Sequence, residues 1–188
     1  MPKIKTSWIV IGVLVIIVIW AWSGYNGLVA SDEKVASQWA NVESVYQRRL
    51  DLIPNIVNTV KGSAAQDEKI FTALAEARSK YAGSTSIDAK AAAAGEVESA
   101  IARLLVIVEN YPELKSQESF QALIAELEGT ENRISVERMR YNEAVRAYNT
   151  LIRKVPRNII ANLFGFGRHD LFEAAEGADE APVVDFAE

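Results

Sequence analysis

Residues 8–22 of the chain read WIVIGVLVIIVIWAW, and this apolar stretch shows what kind of protein the sequence encodes. No charged residue occurs from position 6 to position 31. At about 1.5 Å per residue, a helix over residues 6–25 is about 30 Å long, which matches the hydrocarbon thickness of a bilayer. Trp8 at one end, and Trp20, Trp22 and Tyr25 at the other, are side chains that settle at the two headgroup layers. The sequence predicts a single-pass membrane anchor.

The main alternative for this segment is a cleaved signal peptide, because Lys3 and Lys5 form a basic region before it. A cleavage site needs small residues, but Ala21 and Ser23 flank the bulky Trp22. We therefore favour an anchor that is retained.

The charges on either side of the anchor predict its orientation. Lys3, Lys5 and the amino terminus precede it, whereas Lys34 is the only basic residue among the twenty positions after Tyr25. The positive-inside rule then favours an amino terminus in the cytoplasm and a body on the outer side of the membrane, with the opposite orientation as the alternative.

Composition excludes several classes of function. The 188 residues include no Cys and one His, His169, so disulfides, Cys zinc sites and thiol nucleophiles are excluded. Residues 170–188 carry seven acids and no base, which leaves the preceding residues near neutral and argues against nucleic-acid binding. We expect an anchor over residues 1–30, a bundle with a carboxyl-terminal strap over 31–167, and a disordered acidic tail over 168–188.

The body reads as helical, because residues 28–155 contain only four glycines and two prolines and no sustained alternation of period two. We predict an all-α fold in which the transmembrane helix is followed by an elongated, antiparallel, up-and-down bundle. Four helices are expected, or three with a kinked first helix. Ser31 is the expected N-cap of the first helix, Pro54 is expected to kink or break it, and a fourth helix is expected from about Ser119 to Val155.

Apolar side chains recur three or four residues apart in each of these helices, as the coiled-coil-like seams of a bundle require. The predicted core comprises four stripes: Val35, Trp39, Val42, Tyr46, Leu50, Ile53, Val57 and Val60; Ile70, Leu74, Ala77 and Tyr81; Val97, Ile101, Leu104, Leu105 and Val108; and Phe120, Leu123, Leu127, Ile134, Tyr141, Val145, Tyr148, Ile152 and Val155.

Two charged residues, Glu131 and Arg138, interrupt the fourth stripe. Buried charges need partners, so we expect ion pairs with Arg48, Arg49 and Asp51 of the first helix. The alternative is an inward-facing carboxylate site that binds metal or performs acid-base chemistry. The Glu-x-x-His motif of di-iron bundles is absent, so we favour the structural interpretation and expect no cofactor, metal or catalytic activity.

For a carboxylate enzyme, the alternative of lowest weight, the candidates near the seam are Glu131, Glu137 and Asp51.

The segment after Pro156 is unusually apolar for a tail. Its large side chains are Ile159, Ile160, Leu163, Phe164 and Phe166. They would either dip into the membrane interface beside the anchor or pack on the bundle as a strap, and the sequence leaves both interpretations open.

Several runs of sequence resemble the LemA family closely. They are residues 25–29 (YNGLV), 39–62 (WANVESVYQRRLDLIPNIVNTVKG), 123–134 (LIAELEGTENRI), 138–149 (RMRYNEAVRAYN) and 156–161 (PRNIIA). The resemblance implies a bacterial inner-membrane protein with one amino-terminal transmembrane helix and an antiparallel helical bundle. It supplies no catalytic residues, and it implies the opposite orientation, with the bundle in the cytoplasm. The family's association with membrane metallopeptidases and with membrane remodelling implies an adaptor role.

Taken together, these features predict a membrane-anchored helical scaffold or adaptor. Its expected partners are membrane lipid, other proteins and further copies of itself, and not nucleic acid. The alternatives are a regulatory subunit of a membrane metallopeptidase or envelope-stress system and, with less support, the carboxylate enzyme.

Overall fold

The computed structural model describes residues 6–61 and 68–172. Within these ranges the chain forms helices and no strand, which confirms the all-α prediction. The helices are α1 (Thr6–Lys61), α2 (Glu68–Gly83), α3 (Ile87–Val108), α4 (Pro112–Lys115), α5 (Glu118–Leu151) and α6 (Arg157–Phe164). Of the tail predicted to be disordered over residues 168–188, the part from Glu173 onward lies outside the described ranges. Residues 168–172 are described, and His169 and Asp170 are hydrogen-bonded to α5.

Helix α1 unites the anchor and the first helix of the body in one element of 56 residues. The predicted N-cap at Ser31 is therefore wrong, because the chain is already helical for many residues before it. Extending an existing helix avoids the cost of a new nucleus, and no proline separates the two segments. Asp32, expected in a first turn, instead lies within α1 and contacts His169.

The predicted break at Pro54 does not occur, since α1 continues to Lys61. Proline removes one backbone donor and crowds the preceding turn. On both sides of Pro54, however, α1 buries apolar side chains, among them Leu50, Ile53 and Ile56. Packing of this kind outweighs the local preference of one residue. A kink at this position stays a prediction.

The chain divides into two compact units. The first comprises Met1–Asn41 and Met139–Leu171 and contains the start of α1, the end of α5, and α6. Leu28, Tyr141 and Val145 are completely buried in it. The rings of Trp39 and Tyr141 meet edge to face at 5.3 Å. This unit holds the membrane-spanning segment and the residues that pack where that segment ends.

The described residues of the second unit are 42–61, 68–138 and Phe172. Helices α2 and α3 pack on each other and are joined by the turn at residues 84–86. The Ser86 side chain caps α3 by accepting a hydrogen bond from the Ala89 amide at 3.1 Å. The core of the second unit includes Leu74, Leu104 and other apolar side chains of the predicted stripes, and also Ile56, which the stripes did not contain.

The predicted apolar stripes coincide largely with buried positions, but the end of the fourth is wrong. Helix α5 ends at Leu151, not near Val155, and Val155 is 79% exposed. The reason is Pro156, which disfavours helical geometry in the residue before it. The structure also contains two short helices that the periodicity did not predict, α4 before α5 and α6 after it.

Candidate functional site

The anchor stretch of α1 is covered by no other part of the described chain. Its large apolar side chains from Trp8 to Trp22 are 42–69% exposed, and Tyr25 is 37% exposed. Within the described residues, α1 is the one helix long and apolar enough to cross a membrane, with a mean hydropathy of 2.2 over its best window. The predicted aromatic residues therefore lie at both ends of the uncovered apolar segment of α1.

Burial on α1 begins at Gly24, where α6 packs against it. A Cβ built on Gly24 would lie 2.5 Å from the Cδ1 atom of Ile160, so glycine at this position makes room for that side chain. The ring of Tyr25 lies 4.8 Å from that of Phe164 and 5.7 Å from that of Phe166. These contacts fix α6 beside the end of the anchor.

The five apolar residues predicted in this segment fall on two sides of the chain. Ile160 is 4% exposed and faces α1, and Phe166 is half-buried. Ile159, Leu163 and Phe164 are 63%, 77% and 58% exposed. One side of α6 thus packs on α1, as the strap interpretation requires, and the other is uncovered, so insertion of that side in the membrane interface stays a prediction.

Beyond α6, residues 166–170 pack on α5 as a strap. Gly165 ends α6 with φ of 74°, a left-handed conformation that glycine adopts without strain. The Asn149 side-chain amide donates to the His169 carbonyl at 2.8 Å, and its oxygen accepts from the His169 amide at 3.1 Å. The Tyr141 hydroxyl donates to the Asp170 carbonyl at 2.9 Å. Two side chains of α5 thus bond the strap's backbone.

The His169 ring connects this strap to α1. Its Nε2 lies 2.6 Å from the Asp32 carboxylate, and its ring packs 4.8 Å from that of Tyr148. Burial first, and the neighbouring Asp32 carboxylate second, raise the pKa of Tyr148. Asn149, Tyr148, His169 and Asp32 form what we call the His169 clamp.

In the second unit, Arg49 is the centre of a polar cluster. Its side chain is 7% exposed, forms an ion pair with Glu131, and lies 4.0 Å from Glu98. The Tyr46 hydroxyl donates to Glu98 at 3.3 Å. We call Tyr46, Arg49, Glu98 and Glu131 the Arg49 cluster. Burial of Glu98, reinforced by the Glu131 charge and opposed by Arg49 and Arg138, raises the pKa of Glu98.

The other residues of the predicted ion-pair network lie elsewhere in this unit. Arg48 pairs with Glu126 at 2.9 Å on the exposed surface, and Asp51 is exposed and accepts from Gln47. The Arg138 guanidinium lies 4.4 Å from the centre of the Phe172 ring, a cation–π contact. Only Arg49 and Glu131 of the predicted set are thus brought together as an ion pair.

Two shallow grooves run along the surface between α3 and α5. One, of about 300 Å³, has Arg49, Glu98 and Glu131 in its lining. The other, of about 410 Å³, extends toward Phe120 and Lys115. Both grooves are lined by Leu105, Ile124 and Glu128. Together they form one surface with an apolar and acidic lining, which we call the α3–α5 groove.

The three catalytic candidates lie in different surroundings. Glu131 is bound to Arg49, Asp51 is exposed, and Glu137 is half-buried. In the part of the chain that the structure describes, no group of three or more carboxylates or imidazoles is placed to hold a metal ion. The polar contacts described above are ion pairs and hydrogen bonds, several of them from side chains to the backbone.

Sequence reasoning missed the roles of Gly24, Glu98 and His169. Gly24 lies inside the apolar run, so hydropathy alone could not separate it from lipid-facing positions. Glu98 follows a buried valine on α3, and its partners are far away in sequence. Asn149 lies on an amphipathic helix, and its spacing gave no sign that it bonds the His169 backbone.

Comparison with known proteins identifies the family. The chain matches the LemA family model over residues 38–186. It is 28% identical over 186 aligned residues to magnetosome proteins MamQ 1 and MamQ 2 of Paramagnetospirillum magneticum, and 27% identical to MamQ of Magnetospirillum gryphiswaldense. Each alignment covers 85% of this chain and 68% of the relative. Because the family model spans most of the sequence, this membrane-associated helical protein belongs to the LemA family.

Proposed function

We propose that this chain is a non-catalytic, membrane-anchored scaffold that binds protein partners or further copies of itself at the surface of the bacterial inner membrane. The observation that carries the proposal is the continuity of α1. One unbroken helix leaves the uncovered apolar segment and supplies core side chains to the body, among them Leu28 and Val35. A helix without a hinge transmits position and orientation better than a flexible linker does.

The polar residues of the body support a structural role over a catalytic one. A catalytic carboxylate needs a pocket and a free proton-transfer geometry, whereas Glu131 is bound to a buried arginine. The curated relatives support the same interpretation, because they are named for the magnetosome and not for a reaction.

The α3–α5 groove is the surface that we assign to protein partners. Its lining includes the apolar Leu105 and Ile124 together with more acidic than basic side chains, among them Glu128. Grooves between two helices accept the apolar face of a third helix, and an acidic lining favours a partner with basic flanks.

Site-specific photo-crosslinking in bacterial membranes tests this assignment. A photoreactive amino acid at Glu128, which lines the groove, should give discrete crosslinked products. The same amino acid at Arg133, exposed on α5 but outside the groove lining, is the matched control. A product that persists with the purified protein indicates self-association, whereas one seen only in membranes indicates a partner. Equal patterns at both positions would contradict the proposal.

We place the amino terminus in the cytoplasm and the body on the outer side, from the charges of Lys3 and Lys5. The chain contains no Cys, so single cysteines report topology without background. Ser37→Cys and Ser116→Cys lie at exposed positions of the body. We expect both to react with a membrane-impermeant maleimide on intact cells. If the two cysteines react only after the inner membrane is opened, the body lies in the cytoplasm and our assignment is wrong.

A further inference from the structure

Helix α6 carries an apolar face that no described part of the chain covers. Ile159 and Leu163 are four residues apart and therefore lie on the same side of the helix. Phe164, four residues after Ile160, lies at the border between this face and the side that packs on α1, and it is still 58% exposed. Val155, four residues before Ile159 in the preceding turn, is also exposed. The exposed fractions of these four side chains range from 58% to 79%, which is unfavourable in water for residues of this size.

The position of this face relates it to the membrane. Ile160 packs on Gly24, and Phe164, four residues later on the same side of α6, packs on Tyr25. Gly24 and Tyr25 are the first packed residues after the uncovered stretch of α1, which is about as long as a bilayer is thick. The α6 helix is therefore held at the level where α1 leaves the hydrocarbon layer.

The charges around α6 are all of one sign. Residues 153–168 contain four basic residues and no acidic one. Arg153, Lys154, Arg157 and Arg168 are all exposed. A short amphipathic helix with bulky apolar residues on one face and basic residues around it is typical of segments that lie in the headgroup layer of an anionic membrane.

We propose that α6 lies in the headgroup layer of the membrane that α1 spans, on the side of the body. Ile159, Leu163 and Phe164 insert among the acyl chains, and the basic residues contact the phosphates of anionic phospholipids. The packing of Ile160 into the space at Gly24 sets the depth of this insertion. Because α1 already holds α6 at the surface, even a modest intrinsic affinity for lipid suffices.

Fluorescence quenching on the full-length protein in vesicles tests the insertion. An environment-sensitive fluorophore is attached at Leu163→Cys and, as the control, at Met139→Cys. Met139 is also an apolar side chain, and it is 63% exposed. It belongs to the same unit and lies on α5, twelve positions before that helix ends. That separation is about 18 Å along the helix axis. Acyl-chain quenchers in the vesicles should quench the label at position 163 at least about threefold more than the label at 139.

Each outcome of this measurement is decisive. Equal quenching at the two positions would overturn the proposal. A label at 163 that is shielded from both lipid and aqueous quenchers would also overturn it, because it would show that protein covers this face. Quenching at position 163 should be stronger in vesicles that contain phosphatidylglycerol than in vesicles of pure phosphatidylcholine. If the double variant Lys154→Gln/Arg157→Gln loses this difference, these two residues supply the attraction to anionic lipid.

The packing at Gly24 supplies a second variant that leaves α6 itself unchanged. Gly24→Leu fills the space that Ile160 occupies, so it should displace α6 and lower the quenching at position 163 about twofold or more. Gly27→Leu is the matched control, since no atom lies within 4 Å of a Cβ at that position. If both variants behave like the parent protein, the Gly24 contact does not set the depth of α6.

Discussion

The Arg49 cluster and the His169 clamp join helices by different physical means. Arg49 is a full charge with 7% of its side chain exposed, and it is held by two carboxylates. The clamp uses neutral hydrogen bonds from Asn149 to a backbone, together with a half-exposed contact between His169 and Asp32. The side chains of His169 and Asp32 are 35% and 40% exposed.

This difference indicates which connection can open at low cost. A buried guanidinium without partners is very unfavourable, so the Arg49 cluster has to stay closed while the second unit is folded. Water can replace the partners of a half-exposed clamp. We infer that the strap on the first unit can detach from α5 without unfolding the rest, whereas the Arg49 cluster cannot be rearranged separately.

The largest predicted effect follows from replacing Arg49. In Arg49→Met, Glu131 loses its buried partner and Glu98 loses the nearest positive charge. We expect the free energy of unfolding to fall by about 2 kcal/mol, because Glu98 is left partly buried without this partner, whereas Glu131 is 48% exposed and is screened by solvent. Thermal unfolding of the detergent-solubilised protein, followed by far-UV circular dichroism, measures this change.

The neighbouring arginine provides the control. Arg48 pairs with Glu126 on the surface, and both side chains are 40% exposed or more. Arg48→Met should therefore lower stability by less than about 1 kcal/mol. Equal effects of the two variants would show that burial does not distinguish the two pairs.

A smaller effect is predicted for the clamp. Asn149→Ala removes both hydrogen bonds to the His169 backbone. We expect a loss of about 1–2 kcal/mol, because water reaches the freed groups. Limited proteolysis should cut the strap near His169 faster in the variant, since local opening precedes cleavage.

Thr150→Ala is the matched control for the clamp. The Thr150 hydroxyl is exposed and bonds only the Arg146 carbonyl within α5 among the contacts that the structure shows. This variant should be cleaved at the parent rate. Unchanged cleavage of Asn149→Ala would mean that other contacts hold the strap.

The fold class followed from the sequence because helical periodicity is a local property. Leu74, Tyr81, Leu104 and Ile134 were predicted core residues and are buried, since spacing of three or four residues fixes which side of a helix is apolar. The limits of the helices were harder to predict. Ser31 and Pro54 carry strong local signals, but the packing of α1 outweighs both.

The polar sites could be predicted only in part, because they depend on which helices become neighbours. Arg49 and Glu131 were in the expected network, but periodicity suggested that Glu131 was the buried member, whereas it is Arg49. Glu98 lies on a third helix, and no spacing within one helix indicates that contact. Gly24 matters for the side chain that it lacks, which a composition pattern does not reveal.

The smallest predicted effect concerns the pH dependence of the Arg49 cluster. Burial raises the pKa of Glu98 above its ordinary value of 4.5. The folded protein then holds this proton more tightly than the unfolded chain does, so the contribution of Glu98 to stability is complete at low pH. It is lost as the pH rises from 4.5 through the pKa of the folded state.

Glu98→Gln cannot ionise and still offers an oxygen to the Tyr46 hydroxyl, so the variant should gain stability relative to the parent as the pH rises. Solvent screens a carboxylate that is one-third exposed, and we expect the gain to stay below about 1 kcal/mol. Melting temperatures of both proteins over an acidic-to-neutral series measure it. Glu96→Gln, which removes the exposed pair with Lys80, should show no such gain, because the Glu96 side chain is 49% exposed and is not buried as Glu98 is. If the melting temperature of the parent protein instead rises relative to that of Glu98→Gln as the pH increases, the favourable charge of Arg49 has a larger effect on Glu98 than burial does.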